Sequence, residues 1–295
     1  MTFDLWLALL CAVLFSAGAL LVKRANQLGV GPWETTLVSN LTTALGLMAL
    51  WPMGGQIPSW SLWWQPAVVA VSFIAGQAFV FLAYHRGDVS VATPVLGVKI
   101  VLVAVFTTLI GGDHLPWQLW LGAVLSTLAV VLLNRTDRAP ASGKAGMTVA
   151  LAVGCALFFA LFDALVQNWG PAWGAGRFLP VMMLMVAVLS LVAHPFFGGG
   201  MPRLKGGGAA WLWSGTGLIA LQSTIFVAAI VVYKNAAPAN VIFSSRGLWT
   251  VALVGLAGRW FQSSEQHAGG AVLRWRLIGA VVMMSAIALV MFGKR

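Results

Sequence analysis

Apolar residues run along this chain in blocks of roughly 17 to 22 positions, separated by short clusters of Gly, Pro and charge. Ten such blocks stand out, at 5–22, 35–51, 66–84, 91–110, 116–133, 147–167, 178–194, 211–232, 239–257 and 276–292. Each is long enough to cross about 30 Å of hydrocarbon as a helix. The connecting stretches, such as GGQIPSWSLWWQP, NRTDRAPASGKAG and FFGGGMPRLKGGG, are too short to hold a soluble domain. The pattern predicts an all-α integral membrane protein of ten transmembrane helices.

The blocks repeat. Residues 11–22, CAVLFSAGALLV, align without a gap on residues 155–166, CALFFALFDALV, an offset of 144 that pairs Cys11 with Cys155. Lys99 and Arg246 differ by 147, and the third and eighth blocks both end in tyrosine followed by basic residues, Tyr84-His-Arg and Tyr233-Lys, at an offset of 149. LGAV at 121–124 answers IGAV at 278–281, and the growing offset is what loop insertions produce. Two units follow, 1–138 and 139–295, each of five helices. An odd number of spans makes the second unit enter from the opposite side, so the expectation is two inverted repeats around a central cavity, with the ligand site near the midplane.

Composition sharpens this picture. Residues are 60% hydrophobic and only 8% charged, whereas soluble domains carry about 25% charged residues. The net charge of +10 raises nucleic acid as a partner, but the basic residues are scattered over loops rather than gathered into a stripe, so none is expected. Of 17 Lys and Arg, eleven (Lys23, Arg24, Arg86, Arg135, Arg138, Lys144, Arg203, Lys205, Arg259, Arg274, Arg276) fall in loops on one side and four (Arg177, Lys234, Lys294, Arg295) on the other. By the positive-inside rule both termini are expected outside the cytoplasm. The N-terminus MTFDLWLALL has no basic region before its apolar run, so the first helix is expected to stay in the protein. Two cysteines inside spans give neither a disulfide framework nor a metal site, and GxxxxGK[ST], HExxH, GxSxG and CxxC are absent from the sequence, so no cofactor, metal or enzymatic reaction is expected. Many of the fifteen Trp stand near block ends, where indoles settle at the headgroup level.

The ten blocks, the polar second block and the run GDVSVATPVLGVKIVLVAVFTTLIGGDHLPWQLWLGAVLSTLAVVLLNR together resemble the drug/metabolite transporter superfamily, in particular its EamA-type members. Gly87, Ser90, Ala92, Pro94 and Gly112-Asp113 carry the likeness; the second half, with YKNAAPANVIFSSRGLW and RWFQSSEQHAGG, departs further from it. The resemblance implies a secondary transporter in a bacterial inner (plasma) membrane, working by alternating access on a small metabolite. It also implies cytoplasmic termini, against the charge count.

The deepest polar residues supply the candidate site. Lys99 lies about 13 Å into its span at 1.5 Å per residue, and Arg246 at similar depth. An unpartnered cation there costs on the order of 2.5–3.5 kcal/mol. The i±3 and i±4 neighbours of Lys99 are Val95, Leu96, Leu102 and Val103, so its partner must come from another helix or a ligand. Ser244 and Ser245 stand beside Arg246, and Trp249, one turn on, offers a ring for its guanidinium. Asp163 is the one acid well inside a span. Two cations facing one carboxylate leave a surplus that an anionic or zwitterionic ligand would neutralise, with arginine suited to bidentate grip of a carboxylate or phosphate. Alternatively Asp163 pairs with one cation in a structural network, or serves as a proton-coupling group in an exporter of neutral, aromatic or cationic compounds. Gln77 and Gln222 share a face of equivalent spans, and each either touches ligand or joins helices. The second span carries Thr35, Thr36, Ser39, Asn40, Thr42 and Thr43, with Asn40 the strongest candidate for a wet cavity wall. Tyr84 and Tyr233 end paired spans as anchors or gate contacts, and Glu34 is placed to cap the second span.

Organic-phosphate translocators of the same superfamily are similar in their core Lys and Arg; its amino-acid exporters look closer in length and loop design. The candidate partners are a small anionic or zwitterionic molecule and membrane lipid, and one chain supplies both halves, so a dimer is possible but not required. A lipid-handling or regulatory protein without a solute cycle is the reading outside transport.

Overall fold

The computed structural model describes residues 3–87, 89–112, 114–134, 145–193, 207–261 and 270–292. Twelve α-helices account for nearly all of them: α1 Phe3–Gln27, α2 Pro32–Met48, α3 Trp64–Arg86, α4 Val89–Val95, α5 Lys99–Gly111, α6 Trp117–Leu133, α7 Ala145–Trp173, α8 Ala175–Ala193, α9 Gly207–Tyr233, α10 Ala236–Phe243, α11 Arg246–Phe261 and α12 Gly270–Phe292. No strand occurs among the described residues. Among the described residues seven segments are long and apolar enough to cross a membrane: Phe3–Gln27, Trp60–Tyr84, Val91–Gly111, Ala145–Trp173, Ala175–Ala193, Gly207–Tyr233 and Arg274–Phe292; Trp117–Leu133 is a shorter apolar helix. Outside that set stand α2, which is 17 residues long and threonine-rich, and the region of α10 and α11, which is interrupted.

The local sequence explains the breaks. The 91–110 block is two helices joined by a 3-10 turn over Leu96–Val98, just after Pro94, whose missing N–H removes a helical bond. The irregular backbone is satisfied sideways, Thr127 Oγ1 donating to the Gly97 carbonyl at 3.0 Å. The 239–257 block likewise divides at Ser244–Ser245. Each break falls immediately before a cation, so that Lys99 opens α5 and Arg246 opens α11. At the start of α2, Glu34 Oε2 accepts from the Gly31 backbone N–H at 3.2 Å, the reciprocal half of a capping box.

Small residues let the helices close on one another. A Cβ on Gly18 of α1 would stand 2.9 Å from the Gly215 carbonyl of α9, and one on Gly215 equally close to the Gly18 carbonyl. In lipid, where apolar surface gains nothing by leaving solvent, such backbone approach is the main source of helix affinity. Around this pair, α2 packs on α8 and α9, α3 on α7 and α8, α5 on α7, α6 on α12, and α10 and α11 on α1. One large apolar cluster joins these helices. Among the anticipated features, Asp113, Arg135, Arg138, Lys144, Arg203, Lys205, Lys294 and Arg295 lie outside the described residues, as do the side chains of Ser90 and Arg259.

Candidate functional site

The broken helices α5 and α11 bring Lys99 and Arg246 to the wall of one chamber of about 360 Å³. Asp163 of α7 reaches the same wall, so two cations and one carboxylate line it. Lys99 Nζ sits 2.7 Å from Asp163 Oδ2, with the two side chains 20% and 3% exposed. Its partner does come from another helix. The same carboxylate oxygen accepts from Asn240 Nδ2 at 2.8 Å, and Asn240 donates in addition to the Ala236 carbonyl at 2.9 Å. A buried pair of this kind offsets its desolvation only when further hydrogen bonds complete it, which Asn240 helps to do.

Arg246 is placed differently. No carboxylate among the described residues lies within ion-pair distance of its guanidinium. The cation instead lies 4.8 Å from the centroid of the Phe243 ring and 5.2 Å from that of Phe15, rings that themselves meet edge to face at 5.6 Å. The expected stacking on Trp249 is not what forms: the turn at Ser244–Ser245 swings Phe243 beneath the guanidinium, and Trp249 packs against the apolar core. Ser245 is also not a chamber residue; it is 1% exposed, its hydroxyl has no hydrogen-bond partner, and its carbonyl accepts from Leu248 and Trp249 at the start of α11.

On the same chamber wall, Asn40 and Gln77 form a reciprocal amide pair, Asn40 Nδ2 donating to Gln77 Oε1 and Gln77 Nε2 to Asn40 Oδ1, both at 2.8 Å. Asn40 Nδ2 also donates to Ser190 Oγ at 2.8 Å. The second-span hydroxyls divide into two sets: Ser39 and Thr43 face the chamber with Asn40, while Thr35, Thr36 and Thr42 bond back to carbonyls four residues earlier. Gln222 lines the chamber and accepts from Ser223 Oγ at 3.4 Å. The rest of the wall is soft and apolar, with six phenylalanines (Phe15, Phe73, Phe159, Phe162, Phe226, Phe243) and Met182 and Met183.

The tyrosines stand away from the chamber. Tyr84, 43% exposed at the end of α3, lines a second cavity of about 330 Å³ that shares Phe15, Leu96, Lys99, Phe243 and Arg246 with the first. Tyr233, 46% exposed at the end of α9, lines a third of about 310 Å³ with His114 and Lys234. Between the third cavity and the chamber, all eight residues of α10 are buried. Its start is held by Gln167 Oε1, which accepts from the Ala236 N–H at 2.7 Å, and by Asn235 Nδ2, which donates to Asp4 Oδ2 at 2.7 Å. Asp4, 2% exposed, is a second buried acid that its position in a first helical turn had concealed. Asn240 and Ser190 also escaped the sequence reading, since a single amide or hydroxyl in an apolar block is ordinary helix glue. Asn240 carries the one retrievable signal: it is a lone amide six residues before Arg246.

Among curated proteins nothing matches this chain. A solved structure described only as "Crystal structure of protein" superposes with a TM-score of 0.77 at 16% sequence identity, covering 97% of this chain and 95% of that one, a likeness of fold alone. The model of the EamA-like transporter family matches residues 2–135, the stretch that holds α1 to α6 and Lys99. Over those residues, a little under half of its length, the chain is similar to the EamA-like transporter family, a likeness that agrees with the apolar helices of the fold.

Proposed function

We propose that the protein is a secondary transporter of a small carboxylate-bearing or zwitterionic molecule with an apolar or aromatic body, working by alternating access between two inverted five-helix halves. The observation that carries the substrate class is Arg246, a guanidinium on the chamber wall with two rings beside it and no carboxylate within reach among the described residues. Lys99 is neutralised by Asp163, so the chamber keeps one net positive charge, which suits a single carboxylate. The ring and thioether walls match an apolar body, and the volume lies within the range usual for small-molecule sites.

The inverted ten-span architecture draws support from helix pairing. Exchanging each span with the one five places on turns α1 against α9 into α7 against α3, and α2 against α9 into α8 against α3, and both members of each exchange are in contact. The two breaks before Lys99 and Arg246 are another such pair. Lys99 and Asp163 set the charge of the site, and Asn40, Gln77 and Gln222 offer hydrogen bonds to the uncharged part of the substrate.

The test is exchange of radiolabelled carboxylates in proteoliposomes. Arg246→Gln is expected to abolish it and Arg246→Lys to retain a fraction, since lysine keeps the charge without the bidentate fork. Unimpaired exchange in Arg246→Gln, with the wild type active, refutes the assignment. Stimulated exchange of cations or neutral aromatics that depends on Asp163 but not Arg246 would favour the proton-coupled exporter instead.

A further inference from the structure

The carboxylate of Asp163 is engaged through one of its two oxygens. Lys99 Nζ and Asn240 Nδ2 both meet Oδ2, and Oδ1 takes no hydrogen bond among the described residues, although the side chain is only 3% exposed and lines the chamber. Buried polar atoms are rarely left without a partner, and a carboxylate oxygen least of all, so Oδ1 is an acceptor that the chamber offers to whatever fills it. A ligand with an apolar body strips water from around this oxygen. Unless the ligand carries a donor of its own, the hydrogen bond lost there weakens its binding.

The donor can be an ammonium or a hydroxyl, and charge decides between them. Lys99, Arg246 and Asp163 are the charged residues of the described chamber lining, and they leave one net positive charge, which a single carboxylate neutralises. An ammonium on the same ligand would restore the surplus and compete with Lys99 for the one acid. A hydroxyl donates without adding charge, and it can reach Oδ1 while Lys99 and Asn240 keep Oδ2. A bond donated to a carboxylate is also roughly twice as strong as one between neutral groups.

We infer that the chamber selects a hydroxy acid, whose carboxylate goes to Arg246, whose apolar or aromatic body meets the phenylalanine wall, and whose hydroxyl donates to Asp163 Oδ1. The inference rests on the reading that Arg246 takes a carboxylate, and it makes Asp163 a specificity residue that touches substrate as well as the partner of Lys99.

Probes that share one ring and one carboxylate test this. Binding to the purified protein is measured by thermal stabilisation for 3-phenylpropionate, its 2-hydroxy and 3-hydroxy derivatives, their methyl ethers, and the matching 2-amino and 3-amino acids. One hydroxy acid is expected to bind about tenfold tighter than 3-phenylpropionate, the gain a hydrogen bond to a charged group supplies, and its methyl ether and amino counterpart to lose that gain. In Asp163→Asn the carboxamide keeps its oxygen towards Asn240 and sets an NH2 where Oδ1 stood, so the ratio of hydroxy acid to 3-phenylpropionate should fall to about threefold or less. The two acids carry the same charge, so the effect of an unpaired Lys99 cancels in that ratio.

Neither hydroxy acid binding tighter than 3-phenylpropionate, a methyl ether that keeps the gain, or a gain undiminished in Asp163→Asn overturns the inference. Tighter binding by an amino acid than by its hydroxy counterpart overturns it too, and assigns Oδ1 to an ammonium. The ether comparison needs the wild type alone, so it decides the matter should Asp163→Asn not fold. Loss of the hydroxyl preference, with binding of 3-phenylpropionate still dependent on Arg246, refutes the hydroxyl assignment alone. A hydroxyl preference in acids whose binding Arg246→Gln leaves unchanged refutes the substrate reading, and stabilisation by none of these acids refutes both.

Discussion

Removing one side of the Lys99–Asp163 pair leaves a charge without its partner in the middle of the helix bundle, and the structure ranks the damage. Truncating one member of a buried pair costs about 3–5 kcal/mol. Asp163→Asn belongs at the low end, about 3 kcal/mol: the new amide still accepts from Asn240, and the Lys99 ammonium, 20% exposed on a chamber wall, can be hydrated. Lys99→Met belongs at the high end, about 5 kcal/mol, because Asp163 is 3% exposed and keeps only the Asn240 hydrogen bond. Lys99→Met with Asp163→Asn removes both charges, and its cost is expected to be well below the sum of the two, giving a coupling of about 2–3 kcal/mol. The assay is apparent Tm in a single detergent, where about 3 kcal/mol corresponds to a fall of roughly 6 °C or more. Single variants within a degree of the wild type, or strictly additive shifts, would refute the buried pair as an energetic unit.

Further expectations concern packing, the amide pair and topology. Gly215→Val places carbon against the Gly18 carbonyl and the Val22 amide, both 2.9 Å from the position of a Cβ, and should cost about 1–3 kcal/mol, read as a lowered Tm with α1 and α9 pushed apart. Asn40→Leu leaves Gln77 without its reciprocal partner and should destabilise by about 1–3 kcal/mol while changing apparent substrate affinity, whereas a purely structural role would leave affinity untouched in the folded fraction. A reporter fused after Arg295 should read as extracytoplasmic if loop charge sets orientation; a cytoplasmic signal would overturn the charge count and agree with the topology usual for the family.

The apolar helices were legible because lipid demands long apolar blocks, although helix ends differ from block ends by up to six residues, as at Trp173 of α7 and Gly270 of α12. Interruptions were harder to read. Pro94 announces the break before Lys99, but the matching break before Arg246 is made of two serines, which are unremarkable in a helix, and it is this turn that substitutes Phe243 for Trp249 under the guanidinium. Depth along a span identified Lys99, Arg246 and Asp163 as the costly residues, and the absence of any acid at i±3 or i±4 correctly sent the search for a Lys99 partner to another helix. Sequence could not say which cation Asp163 would choose. That depends on the rotation of α7 about its own axis, set in part by its packing on α3, where Phe73 meets Phe159 and Phe162, residues that lie far apart along the chain. Tyr84 and Tyr233 show the same limit, since each ends an apolar block ahead of basic residues and yet each lines a different outer cavity.

The central claim is that Arg246 receives a carboxylate, and it is tested most directly with a pair of probes that differ in charge alone. Binding of phenylacetate and phenylacetamide to the purified protein is measured by thermal stabilisation, which rises with occupancy of the folded state. The expected result is that phenylacetate binds at least tenfold tighter than the amide, since a hydrogen bond to a charged group contributes about 1.5–3 kcal/mol, and that Arg246→Gln removes the difference. Equal binding of acid and amide by the wild type, or an undiminished preference in Arg246→Gln, would contradict it.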